Sequence, residues 1–192
     1  MNRKRKICVD NIYIKKVLNG NIDAFKYFVS TYKDFAYSLS NSILKNNYLA
    51  EESVQEAFIK AFNKLNTFKQ NASFKTWFGR IIINESFRRI NKKGESYDFE
   101  EISEIEVADI EYSLNSLLKK ERQYYISEVF SQLTHEESLV LELYYLKEFS
   151  IKEICSMTDW SPSKVKMLNL RGRRNFYYKL QSILKSEMKK VL

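Results

Sequence analysis

Two charged stripes and one acidic run carry most of the chemistry in this 192-residue sequence. Glu52, Gln55, Glu56 and Ile59 fall at i, i+3, i+4 and i+7, so on a helix they share one face, opposite Val54, Ala57 and Phe58. An acidic stripe with one apolar residue suits a basic helical partner. Arg80, Asn84, Arg88, Arg89, Lys92 and Lys93 form a basic set farther on, with Asn84, Arg88 and Lys92 spaced for one face. Near the C-terminus Arg171, Arg173 and Arg174 form a second basic cluster, of the kind that grips phosphates and makes binding salt-dependent. None of this is covalent chemistry. His135 is the single histidine, no phosphate loop, nucleophile elbow or metal-ligand spacing occurs, and no catalytic or metal-binding residue and no cofactor is assigned.

The overall balance favours polyanion partners, nucleic acid first and an acidic membrane surface second: 32 basic residues oppose 24 acidic ones, a net charge of +8. The surplus is uneven. Glu95, Asp98, Glu100, Glu101, Glu104, Glu106, Asp109 and Glu111 lie in one window without Lys or Arg, and 16 acidic residues are left elsewhere against all 32 basic ones. Cys8 and Cys155 are too few for a disulfide framework or a four-ligand zinc site, as in a reduced cytoplasmic protein. The basic start, Met1 to Lys6, precedes an apolar run too short for a signal peptide, and no stretch approaches a membrane span of about 20 residues.

The elements that must hold these side chains read as helices. Four Gly and one Pro leave few turn signals, so the fold class is all-α. Phe25, Phe28, Val29, Tyr32, Phe35, Ala36, Leu39 and Ile43 predict a helix over about 22–45. Ala50, Val54, Ala57, Phe58, Ala61, Phe62 and Leu65 predict a second. Ser73 is placed to cap a third, with Phe74, Trp77, Phe78, Ile81 and Ile82 inward and Gly94 ending it near Lys93. The acidic window lacks a period and reads as a linker. Helical character returns near Tyr112 with Leu114, Leu117 and Leu118, and Tyr125, Val129 and Phe130 continue it. Thr134 and Glu137 have capping-box spacing ahead of Leu139, Leu143 and Leu146. Ile151, Ile154 and Cys155 mark a short helix and Thr158 to Trp160 a turn. Ser161 then caps a last helix with Pro162 at its first position.

Short helix, turn and longer basic helix are the layout of a helix-turn-helix, whose second helix enters the major groove. Val165 and Leu168 anchor that helix, while Ser163, Lys164, Lys166, Met167 and Asn169 can reach base edges or phosphates. The alternative is a solvated basic face on a helical hairpin. The customary turn glycine is missing, although Asp159 tolerates the left-handed conformation.

The segments from Ala50 to Phe62, Ser73 to Lys93 and Leu133 to Arg174, taken in this order, resemble regions two and four of the extracytoplasmic-function (ECF) branch of the sigma-70 family. The resemblance implies two small helical domains: a basic extension (1–19), region two (20–94), an acidic linker (95–120) and region four (121–192). It implies a transcription initiation factor, not an enzyme, with core RNA polymerase and promoter DNA as partners, through the clamp helices of the largest subunit and the flap, and with no small-molecule substrate. Glu51, Glu52, Gln55 and Glu56 match the family's clamp-binding pattern, with Ile59 beside them. The loop Asn66–Ala72 falls where similar proteins hold a flipped-out base of the minus-ten element; Phe68, Gln70 and Asn71 supply an aromatic wall and amides, or Phe68 closes the core. Arg80, Asn84, Arg88, Arg89 and Lys92 would face melted minus-ten DNA. Trp77 either stacks on a base or, the favoured reading, packs in the core. Ser161, Ser163, Lys164, Lys166, Met167, Asn169, Arg171, Arg173 and Arg174 would read minus-35 DNA. Asn169 stands where the family keeps an apolar residue, which leaves the helix phase open by one residue. The linker either mimics nucleic acid in the polymerase cleft or is a self-repelling tether. A membrane-bound anti-sigma factor is common for such proteins and would hold this cytoplasmic chain at the inner membrane. Two other readings stand beside this one: a stand-alone helix-turn-helix regulator and a helical adaptor that grips polymerase without reading DNA.

Overall fold

The computed structural model describes residues 3–91 and 119–191. Among these every regular element is helical. The chain divides into two compact units, the first built on its N-terminal half together with Cys155–Asp159 and the second on the rest of its C-terminal half.

In the first unit α1 (Arg3–Leu18) leads through a 3₁₀ turn (Ile22–Phe25) into α2 (Lys26–Leu44), followed by α3 (Asn47–Lys64) and α4 (Phe74–Asn91). The helices start where the side chains can cap them. Asn46 accepts the Leu49 amide at 3.0 Å and Ser73 Oγ accepts the Thr76 amide at 3.1 Å. Lys45 ends α2 in a left-handed conformation, φ 51°. Helices α2, α3 and α4 pack against one another around Phe28, Tyr32, Leu39, Ile43, Ala57, Ala61, Phe78 and Ile82. They approach closely because small residues sit at the crossing. Ser86 Oγ lies 3.0 Å from Ser40 Oγ and 3.1 Å from Ser53 Oγ, so three helices share one buried hydroxyl trio.

Residues 3–18, expected as a basic extension, form helix α1 and belong to this core. Ile14 is buried, and buried Asp10 accepts hydrogen bonds from Tyr32 Oη at 2.6 Å and Tyr27 Oη at 2.9 Å. Tyr13 stacks on Tyr27 with ring centroids 4.0 Å apart. A lone buried carboxylate is expensive, and two phenol donors offset that cost.

The C-terminal half of the chain contains α5 (Lys119–Gln132), α6 (His135–Leu141), a π-helical turn (Glu142–Leu146), α7 (Ile151–Thr158) and α8 (Pro162–Val191). Thr134 and Glu137 form the expected capping box at the start of α6. Ser150 and Glu153 form another at α7: Ser150 N donates to Glu153 Oε2 at 3.0 Å and Glu153 N to Ser150 Oγ at 3.3 Å. Helix α8 packs on α5 and α6 through Val129, Leu133, Leu141, Phe176 and Leu180. Gly172 lies at the α6 crossing, where a Cβ would stand 3.2 Å from Leu141 Cγ. Leu139 and Leu143 are buried as their spacing predicts, but Leu146 is exposed, because the π turn rotates it off the inward face. The predicted helix end at Gly94, the acidic linker and the helix onset at Tyr112 to Leu118 lie outside the described residues.

Candidate nucleic-acid and polymerase interfaces

On α3 the acidic stripe is present with one change of role. Glu51, Gln55, Glu56 and Ile59 are exposed. Glu52 is half-buried and accepts Arg89 Nη1 at 2.9 Å, so a residue of the expected polymerase face and one of the expected DNA face hold each other.

Arg89 and its neighbour Arg88 also converge on Glu85, a residue that no periodicity marked. The Glu85 carboxylate is buried. It accepts Arg88 Nε at 3.2 Å and a second Arg88 nitrogen, Nη2, as well as Lys60 Nζ from α3, and Arg89 Nε stands 3.7 Å away. Burial by itself would raise the Glu85 carboxyl. The hydrogen bonds from Arg88 and Lys60 outweigh it and hold the group below the ordinary carboxylate range. Arg88 is raised in turn by its bond to Glu85. The signal available in the sequence was the i, i+3 and i, i+4 spacing of Glu85 to Arg88 and Arg89.

Arg80 and Asn84 are exposed, as is Arg88 on its outward side. Asn84, Phe87, Arg88 and Asn91 line an open groove on α4. Lys92 lies outside the described residues. In the preceding loop Gln70 and Asn71 are exposed, Gln70 in a left-handed conformation at φ 56°. Phe68 is half-buried, its ring 5.1 Å from Trp77 and 6.2 Å from Phe74. The loop is therefore anchored on an aromatic wall shared with the core, and half-buried Trp77 belongs to that wall, 5.6 Å from Phe74.

The turn before α8 is closed by Asp159 at φ 59°, the left-handed residue expected in place of glycine. Ser161 Oγ accepts the Lys164 amide at 3.1 Å. Val165 and Leu168 are buried, which settles the helix phase: Ser161, Ser163, Lys166 and Met167 face outward and Asn169 is half-buried. Lys164 is half-buried, 2.8 Å from Glu136 Oε1 and 4.4 Å above the Trp160 ring. Arg171 corrects the sequence reading. It is buried and donates through Nε to Glu137 Oε1 at 2.7 Å, because its position continues the Val165 and Leu168 stripe; it is an internal ion pair of the fold. Arg173 and Arg174 remain half-exposed on the helix flank, and Arg173 Nη1 donates to Tyr145 Oη at 3.4 Å.

One helical module of the chain thus carries an acidic face and another a helix-turn-helix. The family model "Sigma-70 region 2" matches residues 28–95 and "Sigma-70, region 4" matches 123–176. The ECF RNA polymerase sigma factor SigW of Bacillus subtilis is 32% identical over 179 residues, 88% of this chain and 96% of that protein. The ECF RNA polymerase sigma-E factor of Escherichia coli K12 is 24% identical over 185 residues, 92% of this chain and 96% of that protein. Two solved structures share the fold: CnrH in complex with the cytosolic domain of CnrY, with TM-score 0.54, 20% identity and coverage of 92% and 97% of the two chains, and the sigma factor RpoE with the anti-sigma factor NepR from Bartonella quintana, with TM-score 0.58, 18% identity and coverage of 82% and 96%. The chain belongs to the sigma-70 family, in its ECF branch.

Proposed function

We infer that this chain is a promoter-specificity factor that docks on core RNA polymerase and supplies binding energy that is largest for opened promoter DNA. The observation that carries this reading is the pair of outward faces within one sigma-70 chain: exposed Glu51, Gln55 and Glu56 on α3, and exposed Ser163, Lys166 and Met167 at the start of α8. The domain plan follows the family: region two over 20–94, with 1–19 ahead of it, the linker over 95–120, and region four over 121–192.

In this reading the acidic stripe, with Ile59 and the paired Glu52, meets the clamp helices of the largest subunit. Region four anchors on duplex at minus 35 through Ser161, Ser163, Lys164, Lys166, Met167 and Asn169, with Arg173 and Arg174 toward phosphates, and it contacts the flap. Region two holds melted minus-ten DNA. Arg80, Asn84, Arg88, Arg89 and Lys92 face it, and Gln70 and Asn71 at the mouth of the Phe68 wall capture an unpaired base, offsetting its unstacking. The polymerase makes the RNA, and the chain works in the cytoplasm. Both structural neighbours are complexes, one of them named as a complex with an anti-sigma factor, and a membrane-bound protein of that kind is the further partner we propose.

Run-off transcription with core polymerase tests the reading. The chain is expected to direct initiation from a subset of templates in a genomic library; equal transcription with and without it on every template would refute the proposal. A stand-alone regulator instead predicts tight specific duplex binding without polymerase, and a helical adaptor predicts no dependence on Lys164 and Lys166.

A further inference from the structure

Glu85 stands among the basic residues of α4 yet points the other way, into the protein. Its carboxylate is 2% exposed for the residue as a whole, whereas the Arg88 side chain beside it is 46% exposed. The geometry is a fork on a fork: Arg88 gives Nε and Nη2 to the two carboxylate oxygens, which leaves Nη1 and the second Nη2 hydrogen for a ligand. Lys60 reaches the same carboxylate from α3, and Arg89 is shared between it and Glu52. One buried anion thus fixes three cations from two helices.

A long arginine loses much rotamer freedom when it grips a phosphate or base. An arginine already held by a buried carboxylate has lost that freedom on folding and presents its remaining donors in one orientation. The same carboxylate lowers the net positive charge of the face, which weakens sequence-independent attraction. Both effects raise discrimination: the correct ligand is met by fixed donors, and any other polyanion is attracted less.

We propose that Glu85 is the positioning residue of the minus-ten face, holding Arg88 and Arg89 for the opened promoter strand while suppressing their non-specific grip on DNA. This rests on the reading of α4 as a DNA-facing helix.

The test is a ratio. Holoenzyme reconstituted from core polymerase and the wild-type chain selects promoters from a random-sequence library. Two fluorescent single-stranded oligonucleotides are then titrated with holoenzyme, one carrying the selected minus-ten non-template segment and one its scrambled composition. In Glu85→Gln the affinity for the scrambled strand should stay or rise while that for the selected strand falls, cutting the ratio by about fivefold or more. A defect of folding alone lowers both affinities together and leaves the ratio unchanged, and an unchanged ratio in a folded variant overturns the proposal. Should Glu85→Gln fold poorly, the double variant Glu85→Gln/Lys60→Met removes a cation with the anion and should show the same loss. A wild-type chain that selects no promoter at all would instead sink the sigma-factor reading, an outcome separate from a wild-type ratio that Glu85→Gln fails to change.

Discussion

Arg171 Nε and Glu137 Oε1 meet at 2.7 Å inside the second unit, and the same Glu137 also closes the capping box of α6 by accepting the Thr134 amide at 3.1 Å through Oε2. Asn175 Nδ2 adds a third donor at 2.9 Å. One carboxylate therefore starts a helix and ties it to the recognition helix α8. Removing the cation leaves a buried anion with amide donors alone. Arg171→Met is expected to destabilise this unit by about 3 kcal/mol, whereas Lys166→Met changes it by less than about 0.5 kcal/mol. Urea unfolding followed by Trp160 fluorescence in a Trp77→Phe background measures both. Equal midpoints would mean that Arg171 is not part of the core.

The Glu52–Arg89 pair sets a different expectation for each carboxylate of the acidic stripe. Glu56 is exposed, so Glu56→Arg should reduce co-purification with core polymerase while leaving the melting temperature unchanged. Glu52→Arg should reduce co-purification as well, and it also places a cation against Arg89. That partly exposed pair is worth about 0.2–1 kcal/mol. The swap Glu52→Arg/Arg89→Glu should recover the stability only in part, since it sets a carboxylate beside buried Glu85, and should not recover the polymerase binding. Recovery of both would show that Glu52 acts only through Arg89.

Much of this was legible in the sequence, because helix periodicity and capping are local. The spacing from Phe25 to Ile43 marked α2, and Ser73, Thr134 and Ser161 all cap the helices they precede. What escaped depended on which face of a charged helix turns inward. Arg171 reads as one of three clustered arginines, yet only it continues the Val165 and Leu168 stripe. Glu85 is not singled out at all, because its burial depends on Lys60 arriving from another helix. α1 looks like a basic tail because its partners, Tyr27 and Tyr32, lie on α2, and its docking runs through buried Asp10 and Ile14 and the Tyr13 ring rather than a long apolar stripe.

Lys166 is exposed on the first turns of α8 and anchored to nothing described, whereas Lys164 sits between Glu136 and Trp160. Lys166→Ala should weaken minus-35 duplex binding by the holoenzyme and reduce the slope of log affinity against log salt by about one. Lys164→Ala should lower affinity and also shift the melting temperature slightly, since it removes a partly buried pair and a contact over Trp160. Fluorescence anisotropy over a salt series reads the slope. An unchanged slope in Lys166→Ala would remove that residue from the phosphate contacts.

Acid should weaken the first unit through Glu85. Its folded carboxyl lies below the ordinary range, so the folded state holds the proton less tightly than the unfolded chain. The stabilisation is complete above the ordinary value of about 4.3 and is lost as pH falls through the folded value. Melting temperatures between pH 6 and the acid limit of reversibility should fall more steeply for wild type than for Glu85→Gln. Parallel curves would assign the acid sensitivity to other carboxylates.

Alkali should act on the same unit through α1. Burial first, and the hydrogen bond to Asp10 second, push the Tyr27 phenol up to about 12. Tyr32 is raised by the same causes, with the bond to Asp10 again second to burial. Below the ordinary phenol value of about 10 the group is protonated in both states and its contribution is whole. Above it the unfolded chain releases the proton while the folded chain keeps it, so stability drains as pH rises from there through about 12. Tyr27→Phe removes the hydrogen bond at a cost of about 1 kcal/mol at neutral pH, and it should flatten the alkaline decline. Thermal unfolding from pH 8 upward separates the two effects, with part of the decline kept in Tyr27→Phe by Tyr32, which donates to the same Asp10. If wild type and Tyr27→Phe lose stability at the same rate above the ordinary phenol value, the Tyr27 phenol is not the group through which alkali acts.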